Sequence, residues 1–234
     1  MNPSPVIEVC GLAKEFTIHA QGGLRIPVFS GLSLAVSAGE CVALHGPSGC
    51  GKSTLLRALY ANYQADSGRI LIQHRGGLVD MVAAEPRVVL AVRRHTLGYV
   101  SQFLRVIPRI AALDVVAEPA VRNGIARDQA RERAAALLAR LRIPQRLWHL
   151  PPATFSGGEQ QRVNIARGFI LDYPALLLDE PTAALDVDNR DTVAQLIEEA
   201  KARGTALVGI FHDQALRERV SDRVFDLESA RTIV

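Results

Sequence analysis

With 234 residues, 48% of them hydrophobic and 5% aromatic, the chain is long enough for one large core built mostly from Leu, Val, Ile and Ala. A net charge of +3 admits an anionic ligand, but no long Lys/Arg block calls for nucleic acid, and the densest basic spot, Val92–His95, reads as a solvated edge. Cys10, Cys41 and Cys50 have no metal-ligand spacing, and neither a secretory leader nor an apolar run near ~20 residues is seen, so the expectation is a reducing, cytoplasmic setting without disulfides or direct membrane insertion.

In chain order, Val6–Val9 and Leu32–Val36 read as strands. Ser37–Glu40 is a turn, and Cys41–Gly46 is a short apolar run ending in glycine, which suits a buried strand. Ser53–Tyr60 reads as a helix with Leu55, Leu56 and Leu59 on one side. Ser67–Gln73 is a further strand, Arg75–Gly77 interrupts it, and Leu78–Val82 resumes as an antiparallel excursion. Asp128–Leu141 is strongly helical, with Ala130, Ala134, Leu137, Leu138 and Leu141 on one face. Pro144, Pro151 and Pro152 break the chain before a helix over Gln160–Leu171. Ala175–Pro181 is a buried strand ending in acidic residues, Asn189–Arg203 a helix closed by Gly204, and Thr205–Phe211 the next buried strand. Alternating strands and helices predict an α/β fold around a mainly parallel core sheet, with an N-terminal antiparallel β part. The division expected is one domain, with residues 1–102 and 154–234 forming the β and core parts. Residues 103–153 form a mainly helical insertion.

The run GPSGCGKST contributes Gly46, Pro47, Ser48, Gly49, Cys50, Gly51, Lys52, Ser53 and Thr54. It fits G-x-x-x-x-G-K-[ST] between a predicted strand and a predicted helix. Glycines let backbone N–H groups curl round phosphate oxygens, and the helix N-terminus adds positive potential. Lys52 can reach β- and γ-phosphates, and the Ser53 hydroxyl is a hard oxygen ligand for Mg²⁺. Asp179 ends a hydrophobic strand, where a carboxylate can hold Mg²⁺ through water, and Glu180 can polarise an attacking water. Gln102 stands at the junction into the helical insertion, where its amide can touch the metal or the water. His212 follows a parallel strand and so faces the ligand edge of the sheet.

A second phosphate-facing helix start stands at Ser156, Gly157 and Gly158, and it brings no lysine. Taken together, the motifs resemble the ATP-binding-cassette ATPases, P-loop NTP hydrolases, over nearly the whole chain. The resemblance makes Gly46–Thr54 the Walker A loop, Gln102 the Q-loop residue, Ser156–Gly158 the signature and Leu176–Glu180 Walker B. It makes Ala183–Asp186 the D-loop, His212 the switch histidine, and Phe16 the aromatic that stacks on adenine. It implies Mg-ATP as ligand and a head-to-tail dimer in which the signature of one cassette covers the γ-phosphate held by the other. That explains the missing lysine, since the partner brings it. Three positions depart from the common pattern: Phe155, Glu159 and Ala183. Glu159 beside phosphate is repulsive unless it points along the helix away from the site.

Three segments, Tyr99–Pro119, Leu147–Ile170 and Val208–Asp213, resemble the L-subunit family of the bacterial phosphonate carbon–phosphorus lyase system, cassettes without transmembrane partners. That resemblance implies support for forming ribose 1-phosphonate 5-triphosphate from ATP and phosphonate, as a subunit of the corresponding synthase. The partners implied are the G, H and I subunits and a sister K-type cassette, with a homodimer as the other pairing. The ATPase role is assigned here and not the displacement of adenine. The alternative is the ATP-hydrolysing subunit of a membrane transporter of lipoprotein-release or macrolide-efflux type. A non-hydrolysing regulatory module is disfavoured by the intact Lys52, Glu180 and His212.

Overall fold

A computed structural model describes residues 4–18, 23–104 and 108–228. The elements, in order, are β1 (Ile7–Ile18), β2 (Leu24–Val36), β3 (Cys41–His45), α1 (Lys52–Leu59), β4 (Ser67–His74), β5 (Gly77–Asp80), α2 (Pro86–His95) and β6 (Leu97–Val100). They continue as α3 (Ala112–Arg122), α4 (Arg127–Arg140), α5 (Gly157–Phe169), β7 (Ala175–Asp179), α6 (Val187–Ala202), β8 (Ala206–Ile210), α7 (Gln214–Val220) and β9 (Arg223–Asp226). Two sheets result. One is antiparallel in the order β2-β1-β4-β5, and the other is parallel in the order β6-β7-β8-β3-β9.

The continuous apolar runs follow from burial on both faces of the parallel sheet. Cys41, Ala43, Leu176, Leu178 and Leu207 pack into one core with α3, α4, α5 and α6. Their strand neighbours Val42, Leu44, Ala175, Leu177, Ala206 and Val208 pack into a second core with α1 and the antiparallel sheet. The period-2 alternation of a strand thus divides the side chains between two layers.

The expected mixed α/β architecture is present: a P-loop NTPase core with an antiparallel N-terminal sheet and a helical insertion. Local differences have physical causes. β1 and β2 run much further than the predicted cores, because Leu24 and Ile26 are solvent-exposed and bulges interrupt the alternation between Val9 and Glu15. Val92–His95 is not a solvated edge but the last turn of α2. Val92 is fully buried and Arg93 donates from Nε to the Tyr60 carbonyl at 2.7 Å. α5 begins at Gly157 rather than Gln160, because Ser156 caps it and Glu159 closes a capping box. β6 and β9, four residues each, were not anticipated as strands, since a four-residue run at a sheet edge carries little periodicity.

Among the described residues, 103–153 contain helices and short helical turns and no strand. The turns at Gln145–Leu147 and Pro152–Thr154 tuck against the start of α3, with Ala112 N donating to Leu150 O and Leu113 N to Trp148 O, each at 3.0 Å. Residues 105–107, within one of the three resemblance segments, lie outside the described residues.

Candidate nucleotide and metal site

The order β7-β8-β3 sets three loops side by side at the carboxyl ends of parallel strands, where open α/β sheets take their ligands. β3 delivers the glycine-rich loop into α1, β7 delivers Asp179 and Glu180, and β8 delivers His212.

The loop is shaped by glycines that nothing else can replace. Gly46 has φ 139°, and a Cβ there would stand 2.7 Å from Cys50 Sγ. Gly51 has φ 101°, and a Cβ there would stand 2.5 Å from Val28 Cγ1 on β2. Pro47, Ser48, Gly49 and Cys50 complete the turn, with Cys50 N donating to Pro47 O at 3.2 Å. Lys52 Nζ reaches back into the loop, donating to the carbonyls of Gly46 at 2.7 Å and Pro47 at 2.9 Å. Thr54 follows inside the first turn of α1.

Ser53 Oγ donates to Asp179 Oδ1 at 3.0 Å, joining the loop to the end of β7. Asp179 is 1% exposed. Glu180 leaves the strand in the left-handed region, at φ 52°, a conformation that costs a non-glycine residue free energy and clusters at functional sites. Its carboxylate is gripped from two sides: Gln102 Nε2 donates to Oε2 at 2.9 Å, and His212 Nε2 meets Oε1 at 2.8 Å. Beside this trio a cleft of about 210 Å³ opens, lined by Glu180, Thr182, Ala183, Arg190, His212 and Asp213. Asp213 caps α7 by accepting from Leu216 N at 2.8 Å and also accepts from Arg190 Nη1 at 2.9 Å, which fixes the backbone carrying His212.

Two expected members stand apart from this cluster. Phe16 is half-buried on β1, outside either core; its ring stands nearly perpendicular to that of Tyr63, 5.4 Å between centroids, and Lys14 Nζ lies 5.3 Å from its centroid. Its β2 partner is Ile26, two residues before Val28, which abuts the glycine loop. The hydrogen bonds of Ser156 go to Glu159, not to the loop: Ser156 N and Oγ donate to Glu159 Oε2 at 2.9 and 2.7 Å. The Glu159 carboxylate therefore does not point away along the helix. It folds back onto the cap, and the two Ser156 hydrogen bonds hold its pKa below the ordinary value. A Cβ on Gly158 would come 3.0 Å from Ala184 O, so the D-loop backbone accounts for that glycine. A Cβ on Gly157 would meet nothing within 4 Å, so no contact among the described residues accounts for the other.

The donors fit a small hard cation. Ser53, Asp179 and the Gln102 amide offer oxygen only, and Mg²⁺ characteristically takes one or two carboxylates, keeps several waters and adds substrate phosphates. The loop beside them closes so tightly that a Cβ at Gly46 would strike Cys50 and one at Gly51 would strike Val28.

Sequence reading missed the groups behind Asp179. Tyr99 Oη donates to Asp179 Oδ2 at 2.9 Å, and burial followed by the Asp179 charge pushes the Tyr99 pKa well up. Arg57 donates from Nη1 to Tyr63 Oη at 3.0 Å. The only available signal was a tyrosine three residues before Gln102.

A family model described as "ABC transporter" matches residues 29–183. The "Lipoprotein-releasing system ATP-binding protein LolD" of Geobacter metallireducens is 37% identical over 214 residues, covering 91% of this chain and 92% of that protein. The "Macrolide export ATP-binding/permease protein MacB" of Hyphomonas neptunium is 36% identical over 229 residues, covering 98% of this chain but 34% of that protein, so the chain spans about a third of that relative. Among solved structures, the dimeric post-hydrolysis state of the ATP-binding cassette MJ0796 bound to ADP and Pi superposes with a TM-score of 0.84 at 27% identity, covering 94% of this chain and 93% of that one.

Proposed function

The chain belongs to the ABC transporter family of ATP-binding cassettes, and from that premise we propose that it hydrolyses Mg-ATP at composite sites shared with a second cassette. The observation that carries this reading is the grip of Gln102 and His212 on the two oxygens of Glu180.

Phe16, whose ring also carries Lys14 Nζ at 5.3 Å from its centroid, is the aromatic for adenine, and the backbone N–H groups of the loop from Gly46 to Thr54, Pro47 apart, cradle the phosphates. Lys52 exchanges its hydrogen bonds to the Gly46 and Pro47 carbonyls for the β- and γ-phosphates. Ser53, Asp179 and Gln102 would hold Mg²⁺, which when bound would neutralise charge on the phosphate oxygens. Glu180 orients the attacking water and holds its proton at a carboxylate oxygen, while His212 fixes that carboxylate in place. Ser156, Gly157 and Gly158 present a hydroxyl and bare N–H groups at a helix N-terminus to the γ-phosphate of the partner cassette. Catalysis is then chiefly positioning and charge stabilisation. The solved relative named as a dimeric cassette supports this pairing.

What the hydrolysis drives is read from the partner. The relatives are named as a lipoprotein-releasing system and a macrolide exporter, which favours a motor for a membrane permease. Among the described residues no helix is long and apolar enough to cross a membrane, so that permease would be another chain or another part of a longer one. A second reading, the L cassette of the phosphonate carbon–phosphorus lyase system, is favoured by Tyr99–Pro119, Leu147–Ile170 and Val208–Asp213. Described residues of the first two segments touch: Asn164 on α5 donates to Ser101 O, and the start of α3 bonds to Trp148 and Leu150. Phe103, in the first segment, is 72% exposed.

One variant tests both levels. Glu180→Gln keeps the shape and loses the base, so turnover falls by about 10²–10⁴-fold while ATP still binds. Wild-type turnover would remove Glu180 from its role. The same variant, purified with Mg-ATP from phosphate-starved cells of the native host, identifies the partner. Recovery of a multi-span permease establishes the transporter motor, and recovery of soluble lyase subunits with a sister cassette establishes the phosphonate reading.

A further inference from the structure

Asp179 has a hydrogen-bond partner on each oxygen: Ser53 Oγ at 3.0 Å on Oδ1 and Tyr99 Oη at 2.9 Å on Oδ2. The direction of the second bond is fixed by the carboxylate itself. The carboxylate can only accept, so the Tyr99 hydroxyl gives its proton to it, and the positive charge of Arg57 beside that hydroxyl acts to lower the pKa that burial and Asp179 raise. The ring is held as well. It stacks at a tilt on Tyr60 with centroids 5.0 Å apart, and Arg93 covers Tyr60 at 4.5 Å. On the other side Arg57 bonds Tyr63, whose ring meets Phe16.

Resting on the reading of this chain as a Mg-ATP hydrolase, we propose that Tyr99 is a positioning residue for the metal site. Its hydroxyl sets the rotation of the Asp179 carboxylate so that Oδ1 stays with the Ser53 hydroxyl and faces the cation. A carboxylate turns easily about its terminal bond, where the torsional wells are broad and two-fold. With Oδ2 held from behind, the oxygen on the ligand side is fixed before the metal arrives. Groups that orient a metal ligand from behind commonly contribute 10–100-fold to metal affinity.

The test uses the full chain and its Tyr99→Phe variant, which keeps the ring and drops only the hydroxyl. Mn²⁺ is titrated into protein with ATP, and free Mn²⁺ is read by electron paramagnetic resonance. The expected result is Mn²⁺ affinity weakened by roughly 10-fold, with the melting temperature and the ATP affinity in EDTA unchanged. Arg57→Met, which removes the positive charge beside the hydroxyl and weakens it as a donor, gives a smaller loss in the same direction. Wild-type Mn²⁺ affinity in Tyr99→Phe overturns the proposal, as does an equal loss of ATP affinity in EDTA. If the unmodified chain takes up no Mn²⁺ with ATP, the hydrolase reading itself fails and this inference falls with it.

Discussion

Single residues carry the chemistry, and their legibility depended on whether their partners were close in sequence. Lys52 and Ser53 could be assigned because the glycine loop is local, and Glu180 because it follows a strand-end aspartate. The bond from Tyr99 to Asp179 spans 80 positions and left no local trace. Glu159 illustrates the same limit at shorter range. Its sequence position raised the question of repulsion from phosphate, and the capping geometry gives a different answer, since the carboxylate is spent on Ser156. A pH dependence follows. The two Ser156 hydrogen bonds depress the folded-state pKa of Glu159 below its ordinary 4.5. A depressed carboxylate pKa contributes stability above the unfolded value and loses it as pH falls through the folded one. Glu159→Gln removes that titration. Urea midpoints of the two proteins, measured from neutral pH downward, should therefore differ most above about pH 5 and converge in acid. A gap that stays constant or widens in acid would mean that Ser156 does not stabilise the charged carboxylate.

At the scale of elements, the long amphipathic and buried runs were legible and the edges were not. α4, α6, β3, β7 and β8 lie within a few residues of their sequence expectations, because a face of apolar side chains or a doubly buried strand repeats its signal over a whole element. β6 gave none, although it carries Tyr99 and leads to Gln102. It is four residues long and contains Gly98, where a Cβ would come 2.6 Å from Tyr173 Cδ2. The helix above it makes the same kind of approach. Gly168 on α5 lies so close to Val100 on β6 that a Cβ would fall 2.2 Å from Val100 Cγ2. Helix propensity and packing then predict opposite signs for Gly168→Ala. Alanine favours a helix interior over glycine by about 1 kcal/mol, whereas forcing an atom into a filled core costs about 1–3 kcal/mol. Packing should win. The melting temperature should fall by roughly 2–8 °C, and Val100→Ala in the same chain should recover part of the loss through a favourable coupling in a double-mutant cycle. A rise in melting temperature would mean that α5 can lift off β6 without cost.

At the scale of the whole molecule, strand order does what no single motif can. β8 lies between β7 and β3, so Asp179, His212 and the glycine loop, far apart in the chain, meet at one edge of one sheet. Ser156–Gly158 stand outside that meeting, and the proposal that a second cassette uses them can be tested at Gly157. Gly157 opens α5 without a positive φ, and a Cβ there touches nothing within 4 Å. An aspartate at this position is unstrained and sits at a helix N-terminus, where a negative charge is favourable by about 0.3–1 kcal/mol. Seen from inside one chain, Gly157→Asp is neutral or stabilising. Seen from a partner cassette it is severe, because the new carboxylate faces the phosphates that the partner holds. The melting temperature of the isolated variant should therefore match or slightly exceed that of the unmodified chain. In the Glu180→Gln background, Mg-ATP should drive the parent into a dimer and leave the Gly157→Asp double variant monomeric, as read by size-exclusion chromatography with light scattering. An undiminished dimer would mean that the signature does not face nucleotide across the interface, and the composite-site reading would have to be abandoned even with the Walker residues intact.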